Sequence, residues 1–245
     1  MDAYAFAEPL EEGIILERPN RFIMMVQKGG KVHRCHCPST GRIGNLVFRD
    51  IPCLLSSART EGRSTAYTVE AISLDAPEKK RKSWIGINQG KVNAYVEHFL
   101  RTGQLDGMIK KGATVERERK LGDSRIDFRI GRHYLEVKMP LITLPTGGPA
   151  LRKPGSRFDS FDRLIRHFHD LGRSLHGDSR ALVILCYAYD ARPFQPPPLD
   201  RTNSRIIRAA REASRKGVEN WQINMRVTPK GVRLLKCFPL DLFSS

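Results

Sequence analysis

Arg125-Ile-Asp-Phe-Arg-Ile130 and His133-Tyr-Leu-Glu-Val-Lys-Met139 place two carboxylates and an ammonium, Asp127, Glu136 and Lys138, on either side of the two-residue turn Gly131-Arg132. Alternation in each half predicts paired strands, and the Gly suits the positive φ of a tight hairpin. Counting outward from the turn sets Ile130 against His133, Phe128 against Leu135, and Asp127 directly opposite Glu136, with Lys138 further along the same face. Ile126, Phe128, Ile130, Leu135 and Val137 fall on the other face. Carboxylates roughly 5 Å apart across a strand pair repel unless positive charge lies between them. Mg²⁺ or Mn²⁺ removes that conflict, since these cations take oxygen ligands and leave positions for water and substrate phosphate. A cation there polarises a phosphodiester and acidifies an attacking water, while the Lys138 ammonium orients that water or offsets developing charge. The competing account is a solvated strand face on which Asp127, Glu136, Lys138, Arg125 and Arg129 make surface ion pairs of little consequence, for the Asp…Glu-x-Lys spacing is short.

The elements that must hold this hairpin fall into two groups. Up to about Asn88 the patterns are short and strand-like: 14–16, 22–27, 32–37, 46–48 leading to 53–55, 67–74 and 84–87, with Gly29-Gly30 as a turn. Several strands and no helix predict a small closed β-barrel over residues 1–88, of the oligonucleotide-binding (OB) type. From residue 89 to 245 the pattern is α/β. Val92, Tyr95, Val96, Phe99 and Leu100 recur at helical spacing until Gly103, and a strand at 114–119 precedes the hairpin. A Pro- and Gly-rich irregular stretch follows at 140–155, then a helix on Phe161, Leu164, Ile165, Phe168 and Leu171. The apolar run 181–187 predicts a strand buried on both faces, followed by a helix over 204–216 and strands at 221–227 and 232–238.

Lys and Arg number 42 against 26 Asp and Glu, a formal charge of +16. Such an excess builds a field that attracts polyanions, so DNA or RNA is the predicted partner, with an acidic protein answering the same charge. A chain of 245 residues with 40% hydrophobic and 28% charged residues can bury a sizeable core and carries no bias toward disorder. Cys35, Cys37, Cys53, Cys186 and Cys237 are odd in number and scattered, which predicts no disulfide framework. Asp2, Glu8, Glu11 and Glu12 open the chain without a basic-then-apolar signal, and the longest apolar run, 181–189, is too short for a bilayer, so a cytoplasmic location without membrane contact is expected. The sequence leaves the oligomeric state open, a homodimer included.

Ser124-Arg-Ile-Asp-Phe128 followed by Tyr134-Leu-Glu-Val-Lys138 resembles the core of the sugar fermentation stimulation protein A (SfsA) family. Arg21-Phe22, His36-Cys-Pro-Ser-Thr-Gly41, Gly86-Ile-Asn88 leading into Asn93 and Glu97, and Gly217-Val218 follow in the family's order, so the resemblance spans nearly the whole chain. It implies an OB-type barrel joined to a restriction-endonuclease-like α/β domain of the Asp…Glu-x-Lys class with a mixed central sheet, in nucleic-acid-binding proteins presumed to be nucleases. It also implies metal-ligand positions for Asp127 and Glu136, the lysine position for Lys138, and an auxiliary acidic position for Glu97. The chain departs from the family pattern at Ser39, where relatives carry Asn, and around 157–167, where Ile165-Arg166 stands for a Gln-Lys pair and Arg166 offers a phosphate-binding charge in place of the lysine.

Beyond the hairpin, Arg21, Arg42, Arg125, Lys153, Arg157, Arg163 and Arg166 are candidate phosphate contacts, with general solubility as the competing account. Phe22 and Trp84 offer stacking surfaces to single strands, or core. Glu97 lies four residues before Arg101 and reads equally as half of a surface helix pair. His33, Cys35 and Cys37 share a strand face, but no second half of a zinc-ligand set accompanies them. The predicted activity is Mg²⁺- or Mn²⁺-dependent hydrolysis of DNA or RNA. Two competing readings are a non-catalytic DNA-binding regulator with a vestigial site and a basic RNA-associated assembly factor.

Overall fold

The computed structural model describes residues 2–44, 46–57, 64–141, 144, 162–201 and 203–243. In chain order the elements are β1 (Tyr4–Ala5), β2 (Glu11–Asn20), β3 (Ile23–Lys28), β4 (Lys31–His36), β5 (Ile51–Ser57), β6 (Tyr67–Ile72), β7 (Ile85–Gly86), α1 (Val92–Arg101), β8 (Val115–Leu121), β9 (Ser124–Ile130), β10 (His133–Lys138), α2 (Asp162–Arg173), β11 (Ala181–Tyr187), α3 (Ser204–Arg215), β12 (Glu219–Thr228) and β13 (Gly231–Leu240). The expected irregular stretch and the start of the following helix at Phe161 fall mostly outside the described residues, as do Lys153 and Arg157.

Strands β4-β3-β2-β5-β6-β7 form one sheet, and a parallel pairing of Cys35 and His36 with Tyr67 and Thr68 brings β4 onto β6, closing five strands into an OB-like barrel. Its core is the alternating inward set, with Ile15, Met24, Val26, Cys35, Cys53 and Val69 at 0% exposure. β2 is longer than its sequence pattern suggests. Pro19 is tolerated near its end because the β2–β3 register shifts between Glu17 and Asn20, where the missing N–H costs no ladder bond. The expected strand at 46–48 is only an isolated bridge at Leu46, and the strand proper is β5.

The second sheet runs β1-β13-β12-β11-β10-β9-β8, with β10, β11 and β12 mutually parallel and the other pairs antiparallel. Tyr4–Ala5, assigned by the sequence to the barrel segment, instead pair with β13. β11 is central and covered on both faces, as its unbroken apolar run predicts. Leu182, Ile184 and Cys186 join the core shared with the barrel and α1, while Ala181 and Val183 join a separate cluster under α2 and α3. The sheet therefore lies between barrel plus α1 on one side and two helices on the other. Among the described residues no helix is long and apolar enough to cross a membrane.

Barrel and sheet meet backbone to backbone at Gly86, whose N–H donates to the Ala188 carbonyl at 3.0 Å. A Cβ at Gly86 would lie 2.5 Å from Ala188 Cβ and 3.1 Å from Val227 Cγ2, too close without moving one layer. Gly86→Ala is expected to cost about 1–3 kcal/mol in denaturant unfolding, the usual range for overpacking. A change below about 0.5 kcal/mol would show that the two layers slide freely.

Candidate active site

Gly131 (φ 57°) makes the turn between β9 and β10, and the register is as counted as far as His133↔Ile130, Tyr134↔Arg129 and Leu135↔Phe128. There the pairing ends. Asp127 is not an ordinary cross-strand partner of Glu136; its Oδ2 instead accepts the Val137 N–H at 2.8 Å, taking the place of a ladder carbonyl. On the other flank, the β8–β9 ladder skips Glu118, which adopts φ 50°, an uncommon conformation for a residue with a Cβ. The irregularity switches faces. Phe128 and Ile130 pack with Leu135 and Val137 into the barrel-side core, but Ile126, expected beside them, packs under α2 and α3. Asp127 thus occupies a twist where the strands part.

Helices reach the two carboxylates from opposite sides of the sheet. From α1, Asn93 Nδ2 donates to Asp127 Oδ1 at 2.7 Å. From α2, the His167 ring contacts Glu136 Oε1, the atom to which Lys138 Nζ also donates. Glu136 is 1% exposed, and its second oxygen, Oε2, is buried with no hydrogen-bond partner among the described residues. Burial alone would push the Glu136 carboxyl upward, yet hydrogen bonds and charge from His167 and Lys138 outweigh it and hold the group below its ordinary value. Asp127 shifts upward, first because burial disfavours its charge and then because the Glu136 charge repels it; bonds from Val137 and Asn93 counter only part of this.

That upward shift means the ionised Asp127 costs stability in the metal-free protein. The cost is absent below the ordinary aspartate value near 3.8 and complete once pH exceeds the raised folded value. Asp127→Asn is therefore expected to melt higher than wild type at neutral pH in EDTA, with the gain vanishing in acid. An Asn at this position keeps an acceptor for Val137, and a flipped Asn93 would offer it Oδ1, an atom that is buried and without a partner among the described residues of the wild-type protein. Equal melting curves at pH 7 would contradict the electrostatic account.

The other predicted residues distribute unevenly. Glu97 lies one turn beyond Asn93 on α1 but is taken by Arg101 (Nη2 at 2.8 Å) and Arg117 (3.6 Å). No hydrogen bond joins it to Asp127, Glu136 or Lys138 among the described residues. Arg163 on α2 reaches the His167 ring (Nε to Nε2, 3.5 Å), and Arg166 is exposed on the same helix. Arg125 is exposed and pairs with Glu118 at 3.2 Å. Arg21 lies over the Phe22 ring on the barrel, and Arg42 is half-buried there, neither touching the hairpin site. Cys35 and Cys37 are core, the His33 ring packs edge-on to Tyr67, and no group of three or more metal-ligating side chains occurs among the described residues. The five cysteines are free thiols.

Sequence reasoning missed His167 as a site residue and gave Asn93 no role. Each breaks an apolar helix face: His167 lies beside Leu164, Phe168 and Leu171, and Asn93 beside Val92 and Val96. A polar side chain on a buried stripe needs a partner, and this was the available signal.

Known proteins bear on these parts in order. A family model described as the SfsA N-terminal OB domain matches residues 16–87, and one described as the sugar fermentation stimulation protein RE domain matches residues 90–231. The sugar fermentation stimulation protein homolog of Alcanivorax borkumensis is 30% identical over 97% of this chain and 99% of its own. That of Synechococcus sp. (strain JA-2-3B'a(2-13)) is 32% identical over 95% and 93%. Among solved structures, "The structure of Pyrococcus Furiosus SfsA in complex with Ca2+" superposes with a TM-score of 0.73 at 19% identity, covering 99% of this chain and 100% of that one, and shows a shared fold. Matched in both its parts by family models and along almost its whole length by relatives at 30% identity, the chain belongs to the sugar fermentation stimulation protein (SfsA) family.

Proposed function

We propose that this protein binds DNA or RNA and hydrolyses phosphodiester bonds with Mg²⁺ or Mn²⁺ held by Asp127 and Glu136. The observation that carries this reading is Glu136 Oε2, a buried carboxylate oxygen with no partner among the described residues, beside a second carboxylate that its charge destabilises. Asp127, raised by burial and by the Glu136 charge, costs stability when ionised unless a cation joins the pair. Two carboxylates suffice for Mg²⁺, which keeps waters and shares its remaining positions with phosphate. The donors present therefore fit such an ion. The Ca²⁺ named for the Pyrococcus protein, the OB domain and the net charge of +16 support the same reading.

When bound, the cation supplies Lewis-acid polarisation and a more acidic water. The chain's own residues do the positioning. Val137 N–H and Asn93 fix the Asp127 carboxylate, His167 and Lys138 fix Glu136, and Lys138, with 31% of its side chain exposed, presents positive charge toward an entering phosphate. Arg163 and Arg166 on α2 supply further charge for the flanking backbone.

The test incubates the protein with single- and double-stranded DNA and RNA, with Mg²⁺ or Mn²⁺ and then with EDTA. Metal-dependent cleavage that disappears in Asp127→Asn is expected. In the same preparation Mg²⁺ should raise the melting temperature of wild type and leave Asp127→Asn unmoved, since only a ligand of the folded state stabilises it. Asn93→Ala is expected to lower kcat roughly 10–100-fold, the kinetic equivalent of losing a charge-assisted hydrogen bond of about 1.5–3 kcal/mol, with little effect on KM. A second reading, a nucleic-acid-binding protein without hydrolysis, is favoured by Glu136 Oε1 being occupied twice and by the absence of a three-ligand cluster among the described residues. Binding by wild type without cleavage under any metal would select it.

A further inference from the structure

On the far side of the barrel–sheet junction, the loop between β6 and β7 overhangs the ends of β11 and β12. The cleft between them is about 940 Å³ in volume, and Lys80, Arg81, Trp84, Tyr189, Asp190 and Arg226 are among its walls. It opens beside the Gly86 contact and shares no lining residue with Asp127, Glu136, Lys138 or His167.

Three carboxylates line it, and each is already neutralised. Glu12 pairs with Lys82 at 3.2 Å, Asp75 with Lys79 at 2.6 Å, and Asp190 with Lys236 at 2.9 Å. Lys80 and Arg81 are exposed and make no ion pair or hydrogen bond among the described residues, and Arg226 contributes only a through-space pull on Asp190. The net field in the cleft is therefore positive and unspent.

The loop that offers these charges is fixed in place. Asp75 accepts the Ser83 N–H at 2.6 Å as well as Lys79, and Lys82, with 8% of its side chain exposed, ties the loop to Glu12 and to the Lys79 carbonyl. Holding cations in a pre-ordered loop removes the ordering cost that a flexible lysine tail would bear on binding.

Trp84 completes the site. Its indole is half-buried in the wall, and among the described residues no ring or cation stacks on it and nothing hydrogen-bonds its N–H. By contrast the N–H of Trp221, the other tryptophan, donates to Glu219 at 2.9 Å. A half-exposed ring next to unpaired cations suits a ligand with a flat base and a phosphate.

We infer that this cleft is a second ligand site, taking a nucleoside phosphate on Trp84 with its phosphate held by Lys80, Arg81 and Arg226. The same chemistry belongs to a free nucleotide and to one unit of a single strand. The site stands on its own side chains and needs no hydrolysis at the hairpin.

The test follows tryptophan fluorescence of the full chain in EDTA, which silences the hairpin chemistry, during titration with dTMP, a dT oligomer and inorganic pyrophosphate. Expected are quenching by dTMP, the oligomer or both, loss of that signal in Trp84→Phe, and at least tenfold weaker binding in the triple variant Lys80→Gln/Arg81→Gln/Arg226→Gln. Quenching by dTMP assigns a free nucleotide, and quenching by the oligomer alone assigns a strand. The three substituted residues are exposed and make no side-chain ion pair or hydrogen bond among the described residues, so the variant should melt with wild type. Unchanged affinity in the triple variant, or pyrophosphate competing as well as dTMP, overturns the inference. Because cleavage plays no part in the readout, a cleft that binds in a protein that does not cut, or the reverse, separates the two readings.

Discussion

Lys138→Ala should lower metal-dependent cleavage of a labelled oligonucleotide by about 10²–10³-fold under single-turnover conditions, with nucleic-acid binding nearly unchanged. That is the usual loss when one donor aimed at developing transition-state charge is removed from an enclosed site. In the proposed function this weight falls to Lys138 and not to one of the many neighbouring arginines because of where its ammonium is held. Its ammonium rests on Glu136 Oε1 at the open end of the hairpin, so its position is set by a carboxylate that is itself fixed by His167. Arg125 is spent on Glu118, and Arg117 lies beside Glu97. Lys138→Arg keeps the charge but spreads it over a planar fork that does not match a point contact, so it should recover only part of the rate. Losing Lys138 also removes one of the two side chains that hold Glu136 below its ordinary pKa. The acid limb of the pH–rate profile should therefore move to higher pH in Lys138→Ala, a shift that a merely structural lysine would not produce. Cleavage by Lys138→Ala at the wild-type rate would place the activity elsewhere.

What the residues announced and what they withheld can be told apart around this same hairpin. The turn at Gly131, the pairs Phe128↔Leu135 and Ile130↔His133, and the doubly buried β11 follow from period-two alternation and from apolar runs, which are local properties. The break at Asp127 does not: it coincides with a positive φ at Glu118 that no glycine advertises. Counting through that point put Ile126 on the wrong face. Tyr4–Ala5 is too short to show alternation, and its pairing with β13 joins segments more than two hundred residues apart. Glu97 illustrates an ambiguity that spacing could state but not resolve: the i,i+4 relation to Arg101 was visible, and Arg117 is brought to it only by the sheet. Asn93 and His167 entered the site through helix packing, for which a single sequence carries only the faint signal of a polar residue on an apolar stripe. The SfsA resemblance supplied the order of barrel and α/β part, and the family models recover the same order.

Glu70→Ala should damage stability severely, although Glu70 lies outside the proposed site. Its carboxylate, 2% exposed, accepts from Ser56 of β5 at 2.5 Å, from Asn88 at 2.8 Å and from Lys91 at 2.5 Å. Asn88 and Lys91 immediately precede α1, and Asn88 also accepts the Gly90 N–H at 3.1 Å. The barrel thereby fixes the start of the helix whose next residues include Asn93, the partner of Asp127. Truncating Glu70 leaves a hydroxyl, an amide and an ammonium facing a buried gap. Removing one member of a buried ion pair costs about 3–5 kcal/mol. The Lys91 side chain is 37% exposed and recovers some hydration, which lowers the expected loss to roughly 2–4 kcal/mol in urea unfolding. That is a large share of a typical stability of about 5–15 kcal/mol. Glu70→Gln keeps the hydrogen-bonding shape without the charge and should cost about half as much. If the network works through α1, Glu70→Gln should also lower kcat, and combining it with Asn93→Ala should cost less than the sum of the two, because the second change finds the Asp127 contact already loosened. Strict additivity in that cycle, or a Glu70→Ala protein within about 0.5 kcal/mol of wild type, would mean that barrel and hairpin site are held independently.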